Sequence, residues 1–210
     1  VNFYEGVSQK EAENFYAKMQ DPKDETPISY GLNSKLVKKD GKVCEEVYSA
    51  NGLYAETINK IIYWLEKANA VAENEAQRNY TNLLIEYYKT GDLKTWDDYN
   101  VAWVQDVEST VDYVNGFIED YSDPLGRKAT WEAVVNFRDF EASKRSNTIS
   151  DNAQWFEDNS PVDPRFKKKE VKGVSAKGII ATTLAGDCFP APPIGINLPN
   201  ADWIRKSHGS

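Results

Sequence analysis

Histidine is almost absent from this chain, which has 210 residues and one histidine, His208, close to its end. Catalytic triads, histidine-based zinc sites and histidine general bases need histidines that this sequence does not provide. The sequence also lacks the GxSxG, HExxH, CxxC and phosphate-loop patterns that mark common catalytic sites. The chain alone is therefore not predicted to be a complete hydrolase, and it is predicted to bind no metal.

Cysteine and long apolar runs are scarce as well. Cys44 and Cys188 are the two cysteines, and their spacing suits neither a disulfide framework nor a metal site, so we predict two separate thiols. No segment approaches the roughly 20 apolar residues of a membrane span, so we expect no membrane partner. No signal-like segment opens the chain and Val1 is not an initiator methionine, so we expect part of a longer polypeptide. The two free thiols suit a cytoplasmic location.

Positive charge is in deficit. The chain has 25 basic and 33 acidic side chains, for a net charge of −8, which argues against nucleic acid as a partner and suits a cationic ligand. Hydrophobic residues make up 40% of the chain, with six Trp, twelve Tyr and eight Phe. This composition predicts a packed globular domain with a substantial core.

The hydrophobic periodicity predicts an α+β fold. Ser8 and Glu11 form a capping-box pattern that begins a helix, and Asp40-Gly41 is typical of a tight hairpin turn. Helical spacing or strand composition predicts the remaining elements: helices over 55–72, 74–89 and 96–105, a strand over 110–121, a long helix from Thr130 to about 158, and a strand over 174–184.

The strand predicted over 110–121 carries unusual polar residues. Alternation places Asp112, Val114 and Gly116 on one face, and Tyr113 and Asn115 on the other. A buried carboxylate is costly without a partner, so Asp112 is either a structural acid or part of a binding site.

Residues 190–200, PAPPIGINLPN, combine four prolines and a glycine with two asparagines. Proline removes amide donors and favours extended backbone before it, so this stretch cannot be regular helix. A rigid, extended segment that carries carboxamides is suited to holding a peptide. Alternatively, Asn197 and Asn200 are turn and capping residues, with Asn200 capping a last helical turn through Trp203.

Several stretches resemble one known family in order and spacing. They are YGLNSKLVKKDG (30–41), WVQD (103–106), VDYVNGFIEDYSDPLG (111–126) and PIGINLPNADWIR (193–205). Together they resemble the dipeptidyl peptidase III family, and its bacterial branch in particular. The resemblance covers about the whole chain.

The resemblance implies a zinc exopeptidase that releases dipeptides from peptide N-termini, with a helical zinc-bearing lobe and a β-barrel-bearing lobe. The family's HExxGH motif does not occur here. The chain is therefore interpreted as a fragment of the barrel-bearing lobe with flanking helices, over 1–126 and 172–210. Residues 127–171 would be a helical excursion toward the zinc-bearing lobe.

The resemblance also implies roles for single residues. Asp112 falls where the family carries an acid that binds the free amino terminus of the substrate. Asn197 and Asn200 match asparagines that hold that terminus and the first peptide unit, and Gly195 and Ile196 lie on the strand that pairs with the substrate main chain.

Three further residues are candidates for the same cleft. Glu119 matches another cleft acid. Some members carry a tyrosine where this chain has Val114, so Tyr113 and Asn115 are candidates for that contact. The hypothesis is thus a fragment that binds an oligopeptide with a free N-terminus, is inactive alone, and relies on zinc held by the remainder of the parent polypeptide. The alternative is a non-catalytic peptide-binding or scaffolding module.

Overall fold

The computed structural model describes residues 3–171, 176–191 and 194–210. These segments form an α+β fold, as predicted. In chain order, the elements are β1 (Tyr4–Glu5), α1 (Gln9–Ala17), β2 (Ser34–Lys39), β3 (Lys42–Val47), α2 (Ala55–Ala70), α3 (Glu75–Thr90), α4 (Leu93–Gln105), β4 (Val111–Glu119), β5 (Thr130–Arg138), α5 (Phe140–Asp151), α6 (Ala153–Asn159), β6 (Ile179–Gly186) and α7 (Asp202–His208).

The strands form two separate three-stranded sheets, in the orders β1-β2-β3 and β4-β5-β6. Neither sheet closes on itself within the described segments, so these residues form no complete β-barrel. The α+β class is confirmed, whereas a closed barrel is not formed by the part of the chain that the structure describes. None of the described helices is both long and apolar enough to cross a membrane.

The first sheet and the helix beside it follow local sequence rules closely. Ser8 caps α1 through the predicted capping box, since its hydroxyl accepts from the Glu11 amide and the Glu11 carboxylate accepts from the Ser8 amide. The β2–β3 hairpin turns at Asp40 and Gly41, with φ angles of 49° and 77°. Both angles lie in the left-handed region that this primed turn requires, which explains the Asp-Gly pair.

The main core lies between the α2–α3–α4 layer and the second sheet. It contains a dense group of buried aromatic and aliphatic side chains, which are Ile58, Ile62, Leu65, Tyr80, Leu84, Tyr87, Tyr88, Trp96, Tyr99, Val114, Phe117 and Ile118. Full burial of one such side chain stabilises the fold by roughly 1.5–3 kcal/mol, so this cluster fixes where β4 lies relative to the helices. Gly91, with φ 75°, ends α3 as predicted.

The long helix predicted from Thr130 is wrong, because residues 130–138 form strand β5. β5 pairs antiparallel with both β4 and β6 and is the central strand of its sheet. The helix begins only after Asp139, whose carboxylate accepts from the Ala142 amide. Of residues 127–171, therefore, only part is helical. Their assignment to another lobe stays a prediction.

The C-terminal part of the chain agrees in part with the elements predicted from the sequence. Strand β6 lies where a strand was predicted, but it starts at Ile179, and residues 172–175 lie outside the described residues. The described residues of 190–200 form no helix or strand, with 192 and 193 also outside the described part. The cap of α7 is Ala201 rather than Asn200, so the predicted capping role of Asn200 is wrong. Both cysteines are free thiols, as predicted.

Candidate functional site

One face of the second sheet carries the candidate site. On this face, Asp112 of β4 lies opposite Asn136 of β5, Val114 opposite Val134, and Gly116 opposite Glu132. Residues 194–200 run across the same face, and two cavities open there, one at each end of this row of pairs. Both cavities are lined by Val114, Val134, Ile196, Asn197 and Leu198, so they are neighbours.

The first cavity, which we name the Asp112 cavity, has a volume of about 420 Å³. One oxygen of Asp112, Oδ1, accepts from the indole Nε1 of Trp103 at 2.9 Å and from the Tyr113 amide at 2.8 Å. Burial raises the pKa of Asp112, and the Trp103 hydrogen bond and the Lys177 charge oppose that rise. Asp112 therefore already has two donors and a nearby cation.

Asn136 adds a free acceptor to the Asp112 cavity. Its side chain is only 5% exposed, and its Oδ1 has no hydrogen-bond partner among the described residues. A buried amide oxygen without a partner costs about 1–3 kcal/mol, so this position favours a ligand or water that donates a hydrogen bond.

The second cavity, which we name the acidic cavity, has a volume of about 310 Å³ and is lined by the carboxylates of Glu119, Glu132 and Asp187. Asp187 accepts from the hydroxyls of Thr130 and Tyr121, the latter at 2.8 Å. Burial raises the pKa of Glu119, and repulsion from Glu132 and Asp187 raises it further.

No lysine or arginine forms an ion pair with these three carboxylates in the part of the chain that the structure describes. Converging carboxylates without a cation are mutually repulsive, and a bound cation would relieve that repulsion. The acidic cavity therefore suits an ammonium-bearing ligand.

A β-bulge directs Glu119 into this cavity. In the pairing register, Phe117 lies opposite Trp131 and Glu119 opposite Thr130, so Ile118 is the extra residue. Without the bulge, Glu119 would share the face of Phe117, because side chains alternate along a strand. The extra residue moves the Glu119 side chain to the face of Glu132.

Residues 194–200 form the wall of both cavities opposite the sheet, and we call the space between this segment and the sheet the cleft. Leu198 and Pro199 are buried, whereas Gly195 and Asn197 are exposed. The Asn200 side-chain amide donates to the Ile118 carbonyl at 3.4 Å, which joins this segment to the end of β4. Gly195 and Ile196 line the acidic cavity in irregular backbone, and neither belongs to a strand of the described sheets.

Tyr113 and Asn115 lie on the opposite face of the sheet. The Tyr113 hydroxyl hydrogen-bonds the Thr81 hydroxyl, and the Asn115 side-chain oxygen accepts from the Tyr88 hydroxyl at 2.7 Å. Both contacts join the sheet to α3. Of the predicted site residues, the structure thus brings together Asp112, Glu119, Gly195, Ile196, Asn197 and Asn200, and it places Tyr113 and Asn115 outside the cleft.

The residues that the structure describes do not fit a zinc ion. His208 is exposed on α7, where its ring lies against Trp203. Among the described residues, no group of three or more His, Cys, Asp or Glu side chains is arranged to hold a metal. No chemistry at this site is therefore assigned to a metal.

Sequence reasoning missed Glu132 and Asn136, because the helix assigned to this segment hid the alternation of β5. Read as a strand, TWEAVVNFR places Trp131, Ala133 and Val135 on one face and Glu132, Val134 and Asn136 on the other, and that pattern would have found both polar residues. Asp187 and Cys188 lie in the turn after β6, where no sequence pattern marked them.

The candidate site is thus a sheet face on which carboxylates without an ion pair among the described residues lie next to residues 194–200. A sequence model described as "Peptidase family M49" matches residues 10–210, so the chain belongs to this peptidase family. It is 31% identical over 170 residues to "Dipeptidyl peptidase 3" of Dictyostelium discoideum, covering 81% of this chain and 24% of that protein. With the human "Dipeptidyl peptidase 3" it shares 30% identity over 158 residues, covering 75% of this chain and 21% of that protein.

Solved structures show the same fold. The structure of DPP III from Caldithrix abyssi matches with a TM-score of 0.80 and 25% identity, covering 100% of this chain and 39% of that one. The dipeptidyl-peptidase III from Corallococcus sp. strain EGB, with 22% identity and a TM-score of 0.78, shares the fold, and the match covers 99% of this chain and 38% of that one. The chain spans about a quarter of the length of the curated relatives it matches.

Proposed function

We propose that this chain is the substrate-binding part of a peptidase that removes dipeptides from peptides with a free amino terminus. The observation that carries the proposal is the acidic cavity, where three carboxylates that form no ion pair with a described lysine or arginine lie next to residues 194–200. The family supports it, because relatives with matching sequence carry the name dipeptidyl peptidase 3.

The ammonium group of the substrate would enter the acidic cavity. A unit charge pair at 4 Å is worth about 4 kcal/mol at an effective dielectric near 20. An ammonium has three donors, and Glu119, Glu132 and the side-chain oxygens of Asn197 or Asn200 are acceptors that line the same cavity. An acetylated N-terminus has neither the charge nor the three donors, so the cavity would select for a free amine.

The geometry favours Glu119 over Asp112 as the principal acid for this amine. Asp112 already accepts two hydrogen bonds at Oδ1 and lies within the field of Lys177, which would repel a second cation. Glu119 has acidic neighbours instead. We therefore assign Asp112 and Asn136 to the neighbouring Asp112 cavity, which can take a side chain of the bound peptide.

The catalytic metal would be held elsewhere in the parent polypeptide. Since the described residues do not fit a metal, the chain by itself supplies binding and orientation of the peptide, and bond cleavage needs the remainder of the protein. That the metal is zinc, that the protein is of the bacterial type and that it is cytoplasmic stay predictions.

The test is steady-state hydrolysis of a dipeptidyl arylamide by the parent polypeptide. We expect Glu119→Gln to raise KM by about 10- to 100-fold, because a hydrogen bond to a charged group contributes about 1.5–3 kcal/mol. Asp112→Asn is the matched carboxylate-to-amide comparison in the adjoining cavity, and we expect a smaller rise. An unchanged KM for Glu119→Gln would remove Glu119 from the amine site.

A non-catalytic peptide-binding module is the second candidate, favoured by the lack of a metal site in the described residues. The two functions differ in one measurement. If the parent polypeptide binds dipeptides with a free amine but hydrolyses no arylamide with any divalent metal added, the binding module is correct.

A further inference from the structure

Cys188 is the one neutral hydrogen-bond donor identified on Glu132 within the described residues. Its Sγ donates to Glu132 Oε2 at 3.0 Å, and the two side chains are 8% and 7% exposed. Both line the acidic cavity together with Glu119 and Asp187. The thiol therefore contacts a carboxylate that faces the proposed amine.

The turn after β6 holds this thiol in place. Gly186, with φ 62°, begins the turn, and an added Cβ there would lie 2.9 Å from the Glu132 Cα. The Asp187 amide donates to the Trp131 carbonyl at 3.2 Å, and the Phe189 amide donates to the Gly186 carbonyl at 3.1 Å. Backbone hydrogen bonds from the residues on either side of Cys188 thus fix its position against β5.

The charged side chains that line the acidic cavity beside the thiol are all acidic among the described residues. Glu119 of β4, Glu132 of β5 and Asp187 of the turn face it, and burial together with the Glu132 hydrogen bond raises the pKa of Cys188 to about 12. The thiol therefore keeps its proton at neutral pH and acts as a donor rather than as a nucleophile.

We propose that Cys188 is a positioning residue of the acidic cavity, whose thiol holds Glu132 so that this carboxylate and Glu119 together receive the amino terminus of the substrate. This inference rests on the proposed function. One oxygen of Glu132 accepts from the thiol, which leaves the other oxygen for the amine.

The kinetic test uses the parent polypeptide and a dipeptidyl arylamide. Cys188→Ala should raise KM about three- to tenfold with kcat unchanged, because one hydrogen bond that orients the binding group is lost. Cys188→Ser should restore KM to within about twofold, since a hydroxyl also donates. Cys44→Ala is the matched control, since Cys44 lies on β3 in the other sheet, and its KM should not change. Unchanged KM for Cys188→Ala, or no rescue by serine, would overturn the proposal.

A second readout does not depend on hydrolysis. We expect Glu132→Gln to increase the rate of Cys188 alkylation by iodoacetamide at pH 9 about tenfold, because loss of the negative neighbour lowers the thiol pKa and increases the fraction of thiolate. Peptide mass spectrometry separates Cys188 from Cys44, whose rate should stay constant. An equal Cys188 rate in both proteins overturns the contact with Glu132. If only the proposed function fails, KM becomes insensitive to Glu119→Gln while the alkylation difference remains.

Discussion

Asp97 is a buried carboxyl group whose ionisation should control stability between about pH 4 and pH 7. It lies on α4, is 2% exposed, and its Oδ2 has no hydrogen-bond partner among the described residues. Burial raises its pKa from 3.8 to about 7, and the charge of Lys94 opposes this rise. The unfolded chain keeps the ordinary pKa, so folding and ionisation of Asp97 are linked.

The sign follows from the raised pKa. Below about pH 4, Asp97 is neutral in both states and costs nothing in charge burial, whereas above about pH 7 it is ionised in both and the folded state carries the full penalty. The contribution to stability is therefore lost as pH rises through the interval from about 4 to 7. At about 1.36 kcal/mol per pKa unit, a shift of about three units amounts to about 4 kcal/mol.

The perturbation is Asp97→Asn, which keeps the shape and cannot ionise. The difference in free energy of unfolding between Asp97→Asn and the unsubstituted chain should be about 2–3 kcal/mol more favourable to Asp97→Asn at pH 8 than at pH 5. Urea denaturation of both proteins at the two pH values measures this difference, and comparing the two differences removes any pH-independent cost of the amide. Asp98→Asn, at an exposed neighbouring position, should show a much smaller change. Parallel pH dependences of Asp97→Asn and the unsubstituted chain would show that Asp97 does not titrate with a raised pKa in the folded state.

Two further substitutions test buried contacts of the fold. Lys128→Met should lower the free energy of unfolding by about 3 kcal/mol. Lys128 is fully buried with its Nζ 3.4 Å from Glu45, so its removal leaves that carboxylate without its cation. Urea denaturation measures the change, and an unchanged midpoint would contradict this expectation. Gly116→Ala should cost about 1–3 kcal/mol, because an added Cβ would lie 2.5 Å from the ring of Trp96, whereas Gly195→Ala, with open space around it, should leave the same midpoint unchanged.

Local rules were sufficient wherever a few neighbouring residues decide the structure. The Ser8 capping box, the Asp40-Gly41 turn and the Gly91 helix end each depend on residues within a few positions in sequence. The stripes of α2 and α3 were equally clear, because their apolar residues recur at helical spacing against a polar face.

Strand β5 was misassigned because its sequence satisfies two periods. Trp131 and Val135 are four apart, which suits one face of a helix and equally one face of a strand. Pairing with β4 and β6 makes this segment a strand. β4 lies on the far side of a turn and β6 is remote in sequence. Such contacts leave no local signal, so propensity alone could not distinguish the two assignments.

The sequence pointed to single residues of the candidate site but not to the contacts between remote segments that form it. The family pattern drew attention to Asp112, Glu119, Asn197 and Asn200, and all four lie at the cleft. The acidic cavity itself depends on the bulge before Glu119 and on three segments converging. Alternation also separates Tyr113 from the cleft, because adjacent strand residues face opposite sides.

The most direct test of the account is calorimetric titration of the parent polypeptide with a dipeptide, Ala-Ala, and with its N-acetyl form. We expect Ala-Ala to bind, acetylation to weaken binding at least about tenfold, and Glu119→Gln to remove most of this difference, if the acidic cavity holds the free amine as proposed. Equal affinity for the free and acetylated dipeptides in the unsubstituted protein would contradict it.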